Sequence, residues 1–279
     1  MAGAPERIVA SDNPAVMAQA GIIVVAVKSG DTAAMANLIK DHAADDAVIV
    51  SLQNGVGNVA LLREMLPGRQ ILGGMVPFNV VTHSDGIVHR ATSGALVVER
   101  DAADTASHFA VPGLSITATD DIVGVQWGKL LLNLSNALNA LSNLPLHTQL
   151  QQRAWRRLYA DQMAEGLAVM RAAGIRPVST TSIPAEWTPR LLRLPDGLFA
   201  VLLKYVMKID ANARSSMWED LERRRTTEID YLQGIVVELA TRYQIPTPLC
   251  RRVMLLIKEA EASNSGSPGL SAQQVRGLA

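Results

Sequence analysis

Continuous β-branched runs alternate with helical periodicity through the first hundred residues, and this alternation predicts a layered α/β unit. Ile22-Ile-Val-Val-Ala-Val27 contains no polar position, as a strand covered on both faces requires. Thr32 to about His42 reads as a helix with Asp31 or Thr32 as its cap. Ala47-Val-Ile-Val-Ser-Leu52 is a second strand, Asn54-Gly-Val-Gly57 a turn into a helix ending near Met65, and Gln70-Ile-Leu-Gly-Gly-Met75 a third strand. The order β-α-β-α-β is that of a doubly wound sheet.

The pattern then shortens. Phe78–Thr82, Gly86–His89 and Ala95–Val98, separated by Ser-Asp-Gly and Thr-Ser-Gly, predict antiparallel hairpins at a sheet edge. After a last short run, Leu114–Thr117, long leucine-rich helical stretches follow, broken at Pro145, Gly174-Ile-Arg-Pro177, Pro184, Pro195-Asp-Gly197 and Ile245-Pro-Thr-Pro248. The expected organisation is a doubly wound α/β unit over 1–120 and an all-α unit over 121–262. The small polar residues Ser263–Pro268 predict a mobile tail over 263–279.

Charge and composition narrow the function. With 26 Lys+Arg against 26 Asp+Glu there is no field to hold a polyanion, and 4% aromatic residues provide no base-stacking platform, so nucleic acid is not the expected partner. No run approaches the roughly 20 apolar residues of a membrane span, and no basic, apolar leader is evident. The single cysteine, Cys250, fits a reducing cytoplasmic compartment. The five histidines lack metal-ligand spacing, and no serine lies in a G-x-S-x-G elbow, so metal and hydrolase chemistry have no footing. A small-molecule substrate remains.

Two stretches carry polar groups in an otherwise apolar context. Lys129, Asn133 and Asn136 fall at i, i+4 and i+7, one stripe of a leucine-rich helix. The stripe is either a solvated face or a set of donors lining a cleft, and asparagine, a mediocre helix former, suits the second better. In Thr227–Leu239 a helical register puts Glu228 on the face of Leu232, Ile235 and Leu239. The bland alternative is a Thr227/Asp230 capping box with Glu228 answering the helix dipole. Gln53-Asn-Gly-Val-Gly57 and Lys28 end consecutive strands and can reach one crevice, although a lysine there is often simply solvated. Arg156-Arg157 and Arg223-Arg-Arg225 read as solvated helix faces, with a phosphate contact as the minority reading.

Taken in order, A-V-K-S, S-L-Q-N-G-V-G-N, G-G-M, W-G-K-L-L-L-N, S-S-M-W-E-D, R-x-T-E-I-D-Y and I-P-T-P resemble the ketopantoate reductase (2-dehydropantoate 2-reductase) family from about Ile22 to Glu259. The resemblance implies an NADPH-binding Rossmann-like unit, partial in this chain, a helical unit, and reduction of a 2-oxo acid between them; the oligomeric state is left open, a homodimer being one alternative. It implies Lys129 as general acid with Asn133 as its partner, and Ser216 and Asn136 on the substrate. Glu228, Lys28 and Asn54 fall on the cofactor. Three departures accompany it. The G-x-G-x-x-G turn is absent, so the chain is expected to begin after the first βαβ and to hold NADPH weakly. Asn136-Ala-Leu-Asn-Ala replaces N-P-L-T-A one residue nearer the lysine, and Val76-Pro-Phe-Asn79 replaces T-T-H, which bears on the substrate. The alternatives are a non-catalytic remnant serving as an interaction module and a reductase of a different 2-oxo acid.

Overall fold

The structure, a computed structural model, describes residues 9–78, 80–82, 88–90, 94–181, 183–206 and 213–277. Strand β1 (Ile22–Val25), helix α1 (Thr32–His42), β2 (Val48–Ser51), α2 (Asn58–Met65) and β3 (Ile71–Met75) follow the predicted alternation. The strands β1, β2 and β3 are parallel, with Val25 opposite Ser51 and Ser51 opposite Gly73. Both faces are covered: Val25, Ile49 and Ile71 pack with Ile39 of α1 and Leu62 of α2, while Val50 and Leu72 pack with Leu96, Val98 and Ala106 on the other side. Burial of each such aliphatic chain stabilises by about 1.5–3 kcal/mol, which is why the strand runs are unbroken by polar residues.

The hairpin expectation holds only in part. Strands β4 (Val80–Thr82) and β5 (Val88–Arg90) form an antiparallel pair of their own, and the intervening Gly86 lies outside the described residues. The Ala95–Val98 run, placed by sequence at an edge, becomes β6 (Leu96–Glu99) inside the sheet. It runs antiparallel to β3 and parallel to β7 (Ile116–Thr119), giving the order β1-β2-β3-β6-β7. Leu96 and Val98 are buried on one side of it, and burial in the sheet interior overrides the turn signals around it.

Helix α3 (Ile122–Ser142) joins the two halves. Asp121 caps it, accepting from Gly124 N at 2.8 Å. Its first turns bear on the sheet through Ile122, Val125 and Met75, and its remainder places Leu130, Leu131, Leu134, Leu138 and Leu141 in the helical core. Two glycines allow these approaches. A Cβ at Gly73 would meet Ile122 at 3.0 Å, and one at Gly128 would overlap the Val178 carbonyl oxygen, where the chain after Gly174 crosses the helix.

Around α3 pack α4 (Leu146–Gln151), α5 (Arg153–Ala172), α6 (Thr188–Leu192), α7 (Asp196–Val206), α8 (Ser216–Glu222), α9 (Gln233–Tyr243) and α10 (Pro248–Ser263). Glu165 of α5 accepts from Leu249 N and Cys250 N, so a carboxylate satisfies the open donors at the start of α10. Arg156 is not the solvated residue its sequence suggests. It is 1% exposed, and its guanidinium donates to the carbonyl oxygens of Leu150, Gln151, Leu192 and Leu194 and to Asp196, tying α4, α6 and α7 together.

The tail is likewise seated where its composition predicts mobility. Ser267 Oγ donates to Ala140 O at 2.6 Å and Leu270 N to Leu141 O at 2.8 Å. Helix α11 (Ala272–Arg276) closes with a Ser271/Gln274 capping box, and Val275 is fully buried. Small polar residues give the tail its bends, and one buried valine anchors it.

Candidate active site

The carboxyl ends of β1 and β2 and the inner face of the helical half meet in a narrow cleft lined by Asn54, Asn133, Asn136, Ser216, Met217, Asp220, Glu228 and Leu232. Five of the seven residues singled out from sequence therefore converge on one surface. Lys28 joins them indirectly: its Nζ donates to Asp220 Oδ1 at 2.7 Å and to Thr226 O at 3.0 Å, so it is bound rather than solvated. Lys129 stands one helical turn before Asn133 on the same face, about 6 Å along the axis, and does not line the cleft in this closed arrangement. The cleft volume is about 10 Å³, room for a single water.

The sheet side of the cleft is a closed hydrogen-bond network. Ser29 N donates to Glu228 Oε1 at 3.1 Å, and Ser29 Oγ lies 3.1 Å from both that oxygen and the Asn54 carbonyl oxygen, sharing its proton between them. Asn58 Nδ2 donates to Ser29 Oγ and to Asn54 O, while Gln53 Nε2 donates to Thr32 Oγ1 at 2.7 Å. Thr32 in turn donates to Ser29 O, so it braces the turn, and Asp31, although at the cap position of α1, makes no capping bond. Gly55 and Gly57 adopt φ of +81° and +96°, and a Cβ at Gly55 would press the Tyr231 carbonyl oxygen at 2.9 Å. Glycine is required there for the turn to approach the helical half.

The helical side is different. The side chains of Asn133, Asn136 and Ser216 make no hydrogen bond among the described residues, and none is among the sealed, unpartnered buried atoms. They are open toward the cleft. Burial pushes the Lys129 ammonium below the ordinary lysine pKa, and no neighbouring carboxylate opposes that shift.

The Glu228 register is corrected in detail. Residues Ile229–Tyr231 form a separate 3₁₀ turn, Leu232 breaks the chain with φ −111° and ψ −87°, and α9 begins only at Gln233. No Thr227/Asp230 box forms: Thr227 Oγ1 accepts from Ile229 N, and Asp230 pairs with Lys258 at 2.7 Å. The break is what swings Glu228 toward Ser29.

Four residues to which the sequence reading gave no role organise the site. Asn139 continues the asparagine stripe; fully buried, it accepts from Ser215 N at 2.9 Å and donates to Leu144 O. Ser215 Oγ accepts from Trp218 N as the cap of α8 and donates to Asn136 O, so this pair sets Ser216 at the cleft. Asp220 follows on the next turn of α8, and Ser29 answers Glu228. Extending the stripe by three would have found Asn139; Asp220 and Ser29 carry no local signal.

Parallel strands that deliver polar turns to a cleft, faced by a helix bearing a half-buried lysine and open amides, form the kind of crevice in which dinucleotide-dependent oxidoreductases work. The "Ketopantoate reductase PanE/ApbA" family model matches residues 4–102, and its C-terminal counterpart matches residues 121–261. A 2-dehydropantoate 2-reductase of Halobacterium salinarum is 30% identical over 261 residues, covering 91% of this chain and 80% of the relative. The crystal structure of a PanE/ApbA family ketopantoate reductase from Ralstonia eutropha superposes with a TM-score of 0.77 at 28% identity, covering 91% of this chain and 80% of that one. A D-mandelate dehydrogenase solved with NADH and anilino(oxo)acetate shares the fold at 20% identity and a TM-score of 0.71, covering 87% and 77%. The chain belongs to the ketopantoate reductase family and is an NADP-dependent oxidoreductase.

The residues present fit the nicotinamide end of that cofactor. The turns after β1 and β2 lie at the carboxyl edge of parallel strands, where dinucleotides bind, and the Asn54 side chain is exposed there. No G-x-G-x-x-G turn occurs in the sequence. Among the described residues no helix is long and apolar enough to cross a membrane, and no group of three or more His, Cys, Asp or Glu is placed to hold a metal.

Proposed function

We propose that this chain reduces a 2-oxo acid, 2-dehydropantoate, to the 2-hydroxy acid, with Lys129 as the proton donor. The observation that supports this most is the helical wall, on which Asn133, Asn136 and Ser216 keep their polar atoms open, one turn from a half-buried lysine. NADPH, when bound, supplies the hydride that becomes the new C–H bond. The carbonyl oxygen gains negative charge as that bond forms, and the Lys129 ammonium stabilises the charge and passes a proton to the oxygen. Asn133, one turn on, hydrogen-bonds the same end of the substrate. Ser216 Oγ donates to the carboxylate, and Asn136 accepts from the distal hydroxyl. Lys28, Asn54 and Glu228 hold the cofactor side. The cleft of about 10 Å³ is too small for such a substrate, so its walls part for entry, breaking the Lys28–Asp220 and Ser29–Glu228 contacts that join them.

The catalyst is read as a cytoplasmic homodimer. Cys250 is buried and its thiol is pushed well above the usual range by burial and by Glu165, which suits a reducing compartment. A dimeric ketopantoate reductase from Staphylococcus aureus shares the fold at 19% identity, with a TM-score of 0.67.

The test is NADPH consumption by the purified chain with 2-dehydropantoate and, separately, 2-oxoisovalerate, which lacks the hydroxyl. Turnover preferring 2-dehydropantoate is expected. Asn136 sits one residue nearer Lys129 than in the family pattern, so the preference is expected to be weaker than that of a reductase carrying N-P-L-T-A. Faster turnover of 2-oxoisovalerate would reassign the substrate, and no turnover of either at saturating NADPH would favour the non-catalytic reading.

A further inference from the structure

A second concavity, about 470 Å³, opens on the helical half away from the cleft, between α5, the end of α6 and α11. Three guanidinium groups, those of Arg157, Arg193 and Arg276, line it against a single carboxylate, Asp161. Both oxygens of Asp161 are used: Oδ1 accepts from Arg193 Nη2 and Oδ2 from Arg276 Nη2, each at 2.7 Å. The rim therefore carries an excess of two positive charges in a chain whose formal net charge is zero. Arg157 has no acidic partner among the described residues and follows Arg153 by one turn on the same face of α5.

If the cluster served only to pin the tail, Arg276 on Asp161 would suffice, since Val275 already anchors it. The remaining features describe a receptor. Asp161 holds two guanidinium planes in fixed positions, which lowers the cost of ordering them around a third group. The alanines Ala154 and Ala272 leave the space between them empty, and Gln273 adds an amide. The volume falls in the range of small-ligand sites, and a concave basic wall concentrates anions.

We infer that this pocket binds a small polyanion, with two phosphoryl or carboxylate groups placed so that one engages Arg157 and the other the Arg193/Arg276 pair. Planar, bidentate donors of this kind match both phosphate and carboxylate oxygens. The tail that carries Arg276 also touches the catalytic half: Ser267 N donates to Glu222 Oε1 at the end of α8, whose first residue, Ser216, lines the cleft.

Isothermal titration of the full chain with inorganic pyrophosphate and with citrate, at constant ionic strength set with chloride, tests the site and separates phosphoryl from carboxylate preference. One bound equivalent of at least one probe is expected. Arg157→Gln, which removes a side chain with no acidic partner among the described residues, should weaken binding about tenfold or more, the scale of a lost charge-assisted bidentate pair, and leave basal turnover unchanged. Lys28→Gln, at the cofactor side, should leave the affinity intact. Absence of binding by both probes would overturn the inference, as would binding that survives Arg157→Gln but is lost in Lys28→Gln.

Discussion

The two walls of the cleft are built from similar residues and put to opposite use. On the sheet side Ser29, Thr32, Gln53 and Asn58 spend their polar atoms on one another and on Glu228, and Lys28 is held by Asp220. On the helical side Asn133, Asn136 and Ser216 have no such partners among the described residues, and Lys129 is half-buried with no ion-pair partner among them. An internally satisfied polar group contributes to the fold; one left open at a cleft costs stability and is available to a ligand. On the proposed function the first wall shapes the cofactor side and the second carries the proton chemistry.

The largest expected effect comes from the open wall. Lys129→Ala should lower kcat by roughly 10²–10⁴-fold, the worth of a positioned acid, with an unchanged or slightly raised melting temperature because a partly desolvated charge is removed. Its neighbour should behave oppositely. Gly128→Ala would drive a Cβ into the Val178 carbonyl oxygen and should destabilise by about 1–3 kcal/mol in denaturant titration. Equal melting temperatures for these two adjacent variants would dissolve the distinction.

The same contrast can be read between two asparagines. Asn58→Ala breaks the bonds to Ser29 Oγ and Asn54 O inside the buried network and should cost about 1–3 kcal/mol of stability. Asn133→Ala should leave the melting temperature alone and reduce kcat/KM by about tenfold, one hydrogen bond in the transition state. Smallest of all is Asp220→Asn. The Lys28 side chain is 41% exposed, so losing this ion pair should change stability by no more than about 0.5 kcal/mol, and less at high salt. A large loss in urea titration would mean that the sheet wall depends on this contact.

How much of this was legible in the sequence follows the range of the interactions. Unbroken β-branched runs announced β1 and β2, and the lysine–asparagine stripe announced the working face of α3, because both are written in local periodicity. The placement of β6 between β3 and β7 was not legible, since it depends on pairing Val98 with Gly74 across the hairpin region. Nor was the break at Leu232, without which Glu228 would point along a continuous helix instead of toward Ser29, 199 residues away. Arg156 looked solvated because nothing in its own helix foretells four carbonyl oxygens arriving from two other segments, 150–151 and 192–194.

The central claim is that the Lys129 ammonium gives up the proton, and the pH dependence of kcat/KM tests it most directly. The group must be protonated to act, and burial holds its pKa below that of ordinary lysine. Activity should therefore fall as pH rises, with a midpoint below the ordinary lysine range, and this alkaline limb should vanish from the residual activity of Lys129→Ala. Persistence of the same limb in that variant, or normal turnover per folded molecule, would show that the proton comes from elsewhere.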